Sequence, residues 1–199
     1  MGALKEASVV IITKLEAAHR QLTTAIRMYF DDDDVAAIHT LVCAAREIYE
    51  KHCEAQGVER MFEQIEAANP ERTRKELWTI LNGSRNFLKH PEASMDLSAR
   101  LELDDEMNAA MLWVACHDCA MLCKGAPPEV QAYTLWFLAT RFPRDASTDE
   151  ADAERADEIL ADIERGYPGL REAAPTAQKR VGKTMVQAAR DMLAAPPAA

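Results

Sequence analysis

The sequence predicts an all-α protein, a bundle of six to eight helices that begins with a long N-terminal antiparallel hairpin. Apolar residues recur at three- and four-residue steps through most of the chain, as do Ile12, Leu15, Leu22 and Ile26. Seven glycines among 199 residues are too few for a turn-rich β sandwich or barrel. The commonest residue types, above all Ala, Leu, Glu and Arg, are good helix formers.

The first two predicted helices cover residues 4–29 and 34–56 and are separated by the acidic run Asp31–Asp34. Carboxylates suit the first turn of the second helix because the helix dipole favours negative charge there. A calcium site is not indicated, since consecutive side chains point in different directions and cannot surround one ion. Gly57 is placed to end the second helix in a left-handed conformation. The short link predicts that the two helices form an antiparallel hairpin.

The next stretch reads as two or three shorter helices. One covers about 58–67, and Asn69-Pro70-Glu71 has the pattern of a cap, a first-position proline and a first-turn acid. The helix that follows should end near Asn82-Gly83, and Ser84 could cap a short new one. Pro91 then disfavours helical geometry at the residue before it.

The second half of the chain begins with alternating apolar and polar residues over 94–103, which predicts an extended segment of one or two short strands. Helices are expected after it at 104–124 (capped by Asp104), 127–141, 148–165 and 176–194. The stretch 143–147 is the best boundary. It would separate a helical core domain, 1–142, from an acidic helical appendage, 143–199, whose helix 148–165 should contact the core little.

Charge and composition exclude several classes of protein. The 23 basic and 33 acidic residues give a net charge of −10, which argues against a duplex-DNA coat. The chain has no apolar run long enough to span a membrane, and its start lacks the order of a signal peptide. Five cysteines, an odd number, fit a reducing compartment, so we expect a cytoplasmic protein.

Three of those cysteines, Cys116, Cys119 and Cys123, lie near His117 and include a C-x-x-C spacing. This spacing occurs in zinc sites, but there it usually comes from a tight turn and is joined by a second ligand pair. Here the segment reads as continuous helix, and no second pair with that spacing exists. The sequence therefore predicts buried cysteines, with no metal and no cofactor.

The most informative segment lies in a locally basic region, residues 71–90, which holds five basic and two acidic residues. Within it, four polar side chains fall inside six residues: Arg85, Asn86, Lys89 and His90. We call these four the polar cluster. On a helix they would share a surface while Phe87 and Leu88 pack inward. An arginine can clamp a phosphate and a histidine can exchange a proton near neutral pH, although the cluster could equally be a surface turn.

Arg85-Asn86-x-x-x-His90 resembles the R-N-x-x-x-H motif of the HEPN superfamily (higher eukaryotes and prokaryotes nucleotide-binding). The resemblance implies a small helical bundle and a metal-independent endoribonuclease, often a toxin, that acts as a homodimer with RNA as its partner. By that likeness Arg85 would contact the scissile phosphate, Asn86 would orient groups, and His90 would transfer protons. The likeness covers residues 4–95.

Two other hypotheses remain open. Ile38-His39-Thr40-Leu41, Asn86-Phe87-x-Lys89-His90 and Leu101-Glu102-Leu103 are similar to a group of uncharacterised bacterial proteins, a likeness that emphasises Asn86, Lys89 and His90. It suits a non-catalytic binding module in which the polar cluster and His39 hold an anion or a partner chain. A metal hydrolase built on His39, His90 and Asp96 is a third reading, without the spacing that would make it specific.

Overall fold

The structure is a computed structural model, and it describes residues 9–90, 98–141 and 150–194. Its described part contains no strand, which confirms the all-α prediction. The eight helices found there are α1 (Lys14–Phe30), α2 (Val35–Gln56), α3 (Met61–Ala68), α4 (Arg74–Lys89), α5 (Asp105–Leu122), α6 (Pro128–Thr140), α7 (Glu150–Gly166) and α8 (Pro175–Ala194). None of them is long and apolar enough to cross a membrane.

The predicted N-terminal hairpin is confirmed, with α1 and α2 packed together across a four-residue link. The helix starts later than residue 4, however. Thr13 caps α1, accepting a hydrogen bond from the Glu16 backbone N–H at 3.1 Å, while the Glu16 carboxylate accepts one from the Thr13 N–H at 2.7 Å. This capping box fixes the start, and the β-branched run 9–12 before it is exposed and non-helical.

The acidic run serves both helices instead of filling the first turn of the second. Asp31 is the C-cap of α1, and Asp34 is the N-cap of α2, where its carboxylate accepts the Ala37 N–H at 2.8 Å. Gly57 ends α2 at a φ of 65°, as predicted.

Helix α4 differs from the prediction at both ends. Its N-cap is Thr73, which forms a capping box with Glu76, and it runs through Gly83 without a break. A glycine inside a helix costs only about 1 kcal/mol relative to alanine. The packing of α4 on α2, where Asn82 accepts a hydrogen bond from Arg46, outweighs that cost. The extended segment predicted near 95–103 is tested only from Ser98, and residues 98–103 form neither helix nor strand.

The core lies where α5 and α6 pack on the hairpin. Aromatic rings of Tyr29, Phe30, Tyr133 and Trp136 meet edge-on or tilted there, with the Phe30 and Trp136 centroids 5.0 Å apart. The buried Tyr133 hydroxyl donates to the Ala109 carbonyl at 2.8 Å. The buried indole of Trp136 donates to the Gln178 carbonyl of α8 at 2.7 Å.

The two helices of the predicted appendage behave differently. Helix α7 packs on α6 through a small cluster that contains Ile163. Helix α8 packs on α1 and α6, and its Met185 and Val186 belong to the main core. At Gly182 the α8 backbone lies so close to Phe30 that any Cβ would overlap the ring. The boundary residues 143–147 lie outside the described residues, and the two-domain division stays a prediction.

Candidate functional site

Arg85 and Lys89 lie one turn apart on α4 and converge on Glu47 of α2. Arg85 Nη2 and Lys89 Nζ each lie 3.2 Å from a Glu47 carboxylate oxygen. Partial burial disfavours the charged carboxylate, but the hydrogen bond from Lys89 and the charges of the two cations outweigh it. They hold the pKa of Glu47 below its usual value. Glu47 is therefore ionised at neutral pH and fixes both cations on the α2 side of α4.

Beneath this pair lies a second, buried arginine, Arg46 of α2. The Asn82 side-chain carbonyl accepts hydrogen bonds from Arg46 Nη2 and from Arg85 Nη1, the latter at 3.1 Å. Asn82 is held in turn by its amide N–H, which donates to the Trp78 carbonyl at 2.8 Å. Arg46 Nη1 lies 3.7 Å from a carboxylate oxygen of buried Glu50. Two guanidinium groups thus share one amide acceptor.

Arg46 and Arg85 each have one nitrogen donor that makes no hydrogen bond in the described part of the chain. The Nε atoms of Arg46 and Arg85 are buried and have no hydrogen-bond partner within the described part of the chain. A buried N–H without an acceptor typically costs about 1–3 kcal/mol. Arg85 also lines a groove, so this surplus of donors is a reason to look for an anionic ligand there.

His39 does not join the polar cluster, contrary to the arrangement considered from sequence. Its Nδ1 lies 2.9 Å from the Asn108 side-chain oxygen of α5, and the Asn108 amide nitrogen donates to the Val35 carbonyl at 3.0 Å. That second bond fixes the amide, so Nδ1 carries the proton, and the buried Nε2 is an acceptor without a partner among the described residues. Burial lowers the pKa of His39, which keeps the ring neutral at pH 7.

Asn86 and His90 are exposed at the C-terminal end of α4. His90 is the C-cap, and its backbone N–H donates to the Asn86 carbonyl at 3.0 Å. The expected packing of Phe87 and Leu88 is wrong, because they are 39% and 37% exposed. The polar cluster is thus divided: Arg85 and Lys89 face α2, while Asn86 and His90 face solvent. Asp96, the third residue of the metal-hydrolase reading, lies outside the described residues.

Two adjoining grooves run along this α2–α4 surface, with volumes of about 230 and 570 Å³. They share Glu47 and Lys89 as lining residues. The narrower groove also contacts Arg85, Leu88 and Cys43, and the wider one extends to α1. Among the described residues, the combined lining holds one carboxylate, Glu47, and four cations: Lys14, Lys51, Arg85 and Lys89. Lys51 is paired with Glu54 at 2.6 Å just outside the lining.

Several of these residues were missed from sequence. Glu47 and Lys51 look like ordinary exposed helix residues, and Asn82 was taken as a helix end. The sequence could have identified Arg46, because it lies two turns from His39 on the apolar face of α2. A charged side chain at such a position needs a buried partner. All five cysteines are free, and four of them are buried. Burial raises the pKa of Cys43, beside Arg85 in the groove, to about 11.

Comparison of the chain with protein-family models, with curated proteins and with solved structures finds no match.

Proposed function

We propose that the chain binds RNA through its phosphate backbone along the α2–α4 surface. The observation that carries the proposal is the lining of the two grooves, four cations against one carboxylate, in a protein whose net charge is −10. Phosphate affinity comes chiefly from lysine and arginine, so a local cationic surface on an acidic chain is where a polyanion would bind.

Arg85 is the residue best prepared for a phosphate. Its two terminal nitrogens are held by Asn82 and Glu47, which orients the guanidinium beside the narrower groove. A phosphate that displaces Glu47 would take over the hydrogen bond from Nη2. Lys89 can exchange its exposed Glu47 contact for a phosphate oxygen at little cost, because exposed ion pairs contribute only about 0–1 kcal/mol. Arg46 adds positive potential from below.

The binding test is fluorescence anisotropy with a labelled single-stranded RNA at several salt concentrations, with duplex DNA as comparison. Lys89→Ala should weaken RNA binding and reduce the slope of log affinity against log salt by about 0.7, the value for one single-strand phosphate contact. Lys75→Ala is the matched control, since Lys75 is an exposed lysine near the other end of the same helix. Equal effects of the two substitutions, or no RNA binding by the wild type, would refute the proposal.

Metal-independent RNA cleavage is a second candidate, favoured by the exposed imidazole of His90 at the end of the helix that carries Arg85. His90 would accept the 2′-hydroxyl proton as that oxygen bonds to phosphorus, and Arg85 would stabilise the charge that develops on the phosphate. The P–O5′ bond would break, and the leaving 5′-oxygen would take up a proton from solvent. His90→Ala should then slow cleavage by about 10²–10⁴-fold without weakening RNA binding. The products should end in a cyclic phosphate. Binding without cleavage in a clean preparation leaves the module as an RNA binder alone.

A homodimer belongs to the same proposal. Ile80 is 59% exposed and Phe87 39% exposed, two turns apart on α4, with exposed Gly83 between them. This face could join two copies and bring their grooves together. Sedimentation of wild type and Ile80→Glu tests it, and a monomeric wild type would exclude it. The free cysteines also fit our proposed cytoplasmic location.

A further inference from the structure

Two cysteines at the C-terminal end of α5 meet a histidine of α1. His19 Nε2 lies 3.4 Å from Cys123 Sγ, and the ligand atoms of His19, Cys119 and Cys123 all lie within 4.8 Å of one another. Cys119 and Cys123 are one helical turn apart, so their side chains share a face of α5. The packing of α5 on α1 brings His19 to them from about 100 residues away in the sequence.

We infer that His19, Cys119 and Cys123 form a zinc site with three protein ligands and an open fourth position. Two cysteines and one histidine are a known donor set for zinc sites that keep a position for water or substrate. With Zn–S and Zn–N distances of about 2.3 and 2.1 Å, the ligand atoms of a tetrahedral site lie roughly 3.6–3.8 Å apart. The observed separations reach that geometry with side-chain shifts of about 1 Å or less.

The charges of the proposed ligands would balance the charge of a Zn²⁺ ion. Zinc would displace one proton from each thiol into solvent, and the two thiolates would neutralise the Zn²⁺ charge. A site without net charge is the kind that a partly buried position tolerates.

Access and a polar neighbour are also present. His19 lines an open groove of about 490 Å³ between the start of α6 and the end of α8, which gives an ion a route from solvent. The ring of Tyr49 lies 5.7 Å from that of His19. The buried Tyr49 hydroxyl lies beside the Cys119 thiol, and no hydrogen bond satisfies it in the described part of the chain. A thiolate at Cys119 would give that hydroxyl an acceptor.

The test uses the full chain, reduced, stripped with a chelator and titrated with Co²⁺, whose spectrum reports thiolate ligands. We expect one Co²⁺ per chain, a thiolate-to-cobalt charge-transfer band in the near ultraviolet, and loss of that band when Zn²⁺ is added. Binding should release two protons per Co²⁺ ion, measured with a pH indicator in weakly buffered solution, because each thiol must lose its proton to ligate the metal. Release of one proton would contradict two thiolate ligands.

Variants at the two partly exposed ligands avoid disrupting the core. Cys123→Ala and His19→Gln should each weaken Co²⁺ binding by at least about 100-fold, since loss of a mere supporting group already costs about 10–100-fold. Cys43→Ala and His117→Gln are the matched controls and should bind as the wild type does. The inference is overturned if the wild type gives no charge-transfer band, or if the ligand variants and the controls behave alike.

Discussion

Two regions of this protein place cations against the helical core, and they differ in how completely those cations are paired. Lys179 of α8 is nearly buried, and its ammonium lies 2.6 Å from Asp32, 2.7 Å from Asp105 and 4.4 Å from the centre of the Tyr29 ring. Arg46 and Arg85, in the α2–α4 region, share the single acceptor of Asn82 and each keep a buried Nε unpaired in the described structure.

The degree of pairing distinguishes the two regions: Lys179 fixes α8 to the core, whereas the α2–α4 region is a candidate binding site. At α8 the charge holds two elements together and its donors are taken up, although the Tyr29 hydroxyl nearby is itself unpaired in the described part. At α2–α4 the donors exceed the acceptors, an arrangement that costs stability unless a ligand completes it. A buried cation therefore indicates a ligand site when some of its donors lack acceptors, and not merely because it is charged.

The largest effect should come from removing α8. A chain truncated before Pro175 loses the carbonyl that accepts the Trp136 indole N–H, together with two core side chains, Met185 and Val186. We expect it to lose cooperative thermal unfolding and near-ultraviolet circular dichroism. The sequence-based division at 143 predicts the opposite, a truncated chain that still folds. A sharp melting transition for the truncated protein would support that division.

Arg46→Met should be the most damaging single substitution in the comparison. It removes the guanidinium that faces buried Glu50, whose pKa burial already raises. Among the described residues that carboxylate then keeps Arg60 as its ion-pair partner, 3.5 Å away and shared with Glu63. Loss of one partner of a buried pair costs about 3–5 kcal/mol, measurable by urea unfolding. A cost below about 1 kcal/mol would contradict a structural role for the buried Arg46–Glu50 pair.

Lys179→Met should cost less, about 1–3 kcal/mol, although the lysine is only 4% exposed. Its partners Asp32 and Asp105 are 56% and 47% exposed, so water can solvate both carboxylates once the ammonium is gone. The methionine retains most of the apolar packing of the lysine stem. Urea unfolding of this variant and of Arg46→Met gives the loss of unfolding free energy in each region. A larger loss for Lys179→Met would contradict the expected order.

The smallest effect should be a pH dependence from His39. Its folded-state pKa is lowered by burial, so the unfolded chain binds a proton that the folded chain does not. Stability from this group is therefore complete above the ordinary histidine pKa and decreases as the pH falls below about 6.5. The melting temperature of His39→Gln should vary less between pH 7.5 and 5.5 than that of the wild type. Parallel curves would assign the pH dependence to other groups.

Local patterns predicted much of the fold. The cap at Asp104 and the stop at Gly57 each depend on a few neighbouring residues, and the structure confirms both. Gly83 misled because a helix-breaking residue was weighed without the packing of α4 on α2, which only the folded chain supplies. The local pattern therefore predicted a helix end at Gly83, within the candidate site, where the folded chain has a continuous helix.

The candidate site was less accessible to sequence reasoning. The spacing of Arg85 and Lys89 predicts that they share a face, but their common partner, Glu47, lies about 40 residues away. His39 pairs with Asn108 across a still longer separation. Contacts of this kind depend on how helices cross, and one sequence does not contain that information.

Because Gly182 lies so close to Phe30, the size of the side chain at one position limits the size allowed at the other. Gly182→Ala alone should destabilise the protein by about 1–3 kcal/mol, because its methyl group has no room beside the ring. Phe30→Leu alone should also destabilise, because it opens a cavity in the core. In the double variant the new methyl can occupy part of that cavity, so the two losses should add to less than their sum. Among sequences that share this fold, positions 30 and 182 are therefore expected to change together, a large side chain at one allowing only a small one at the other.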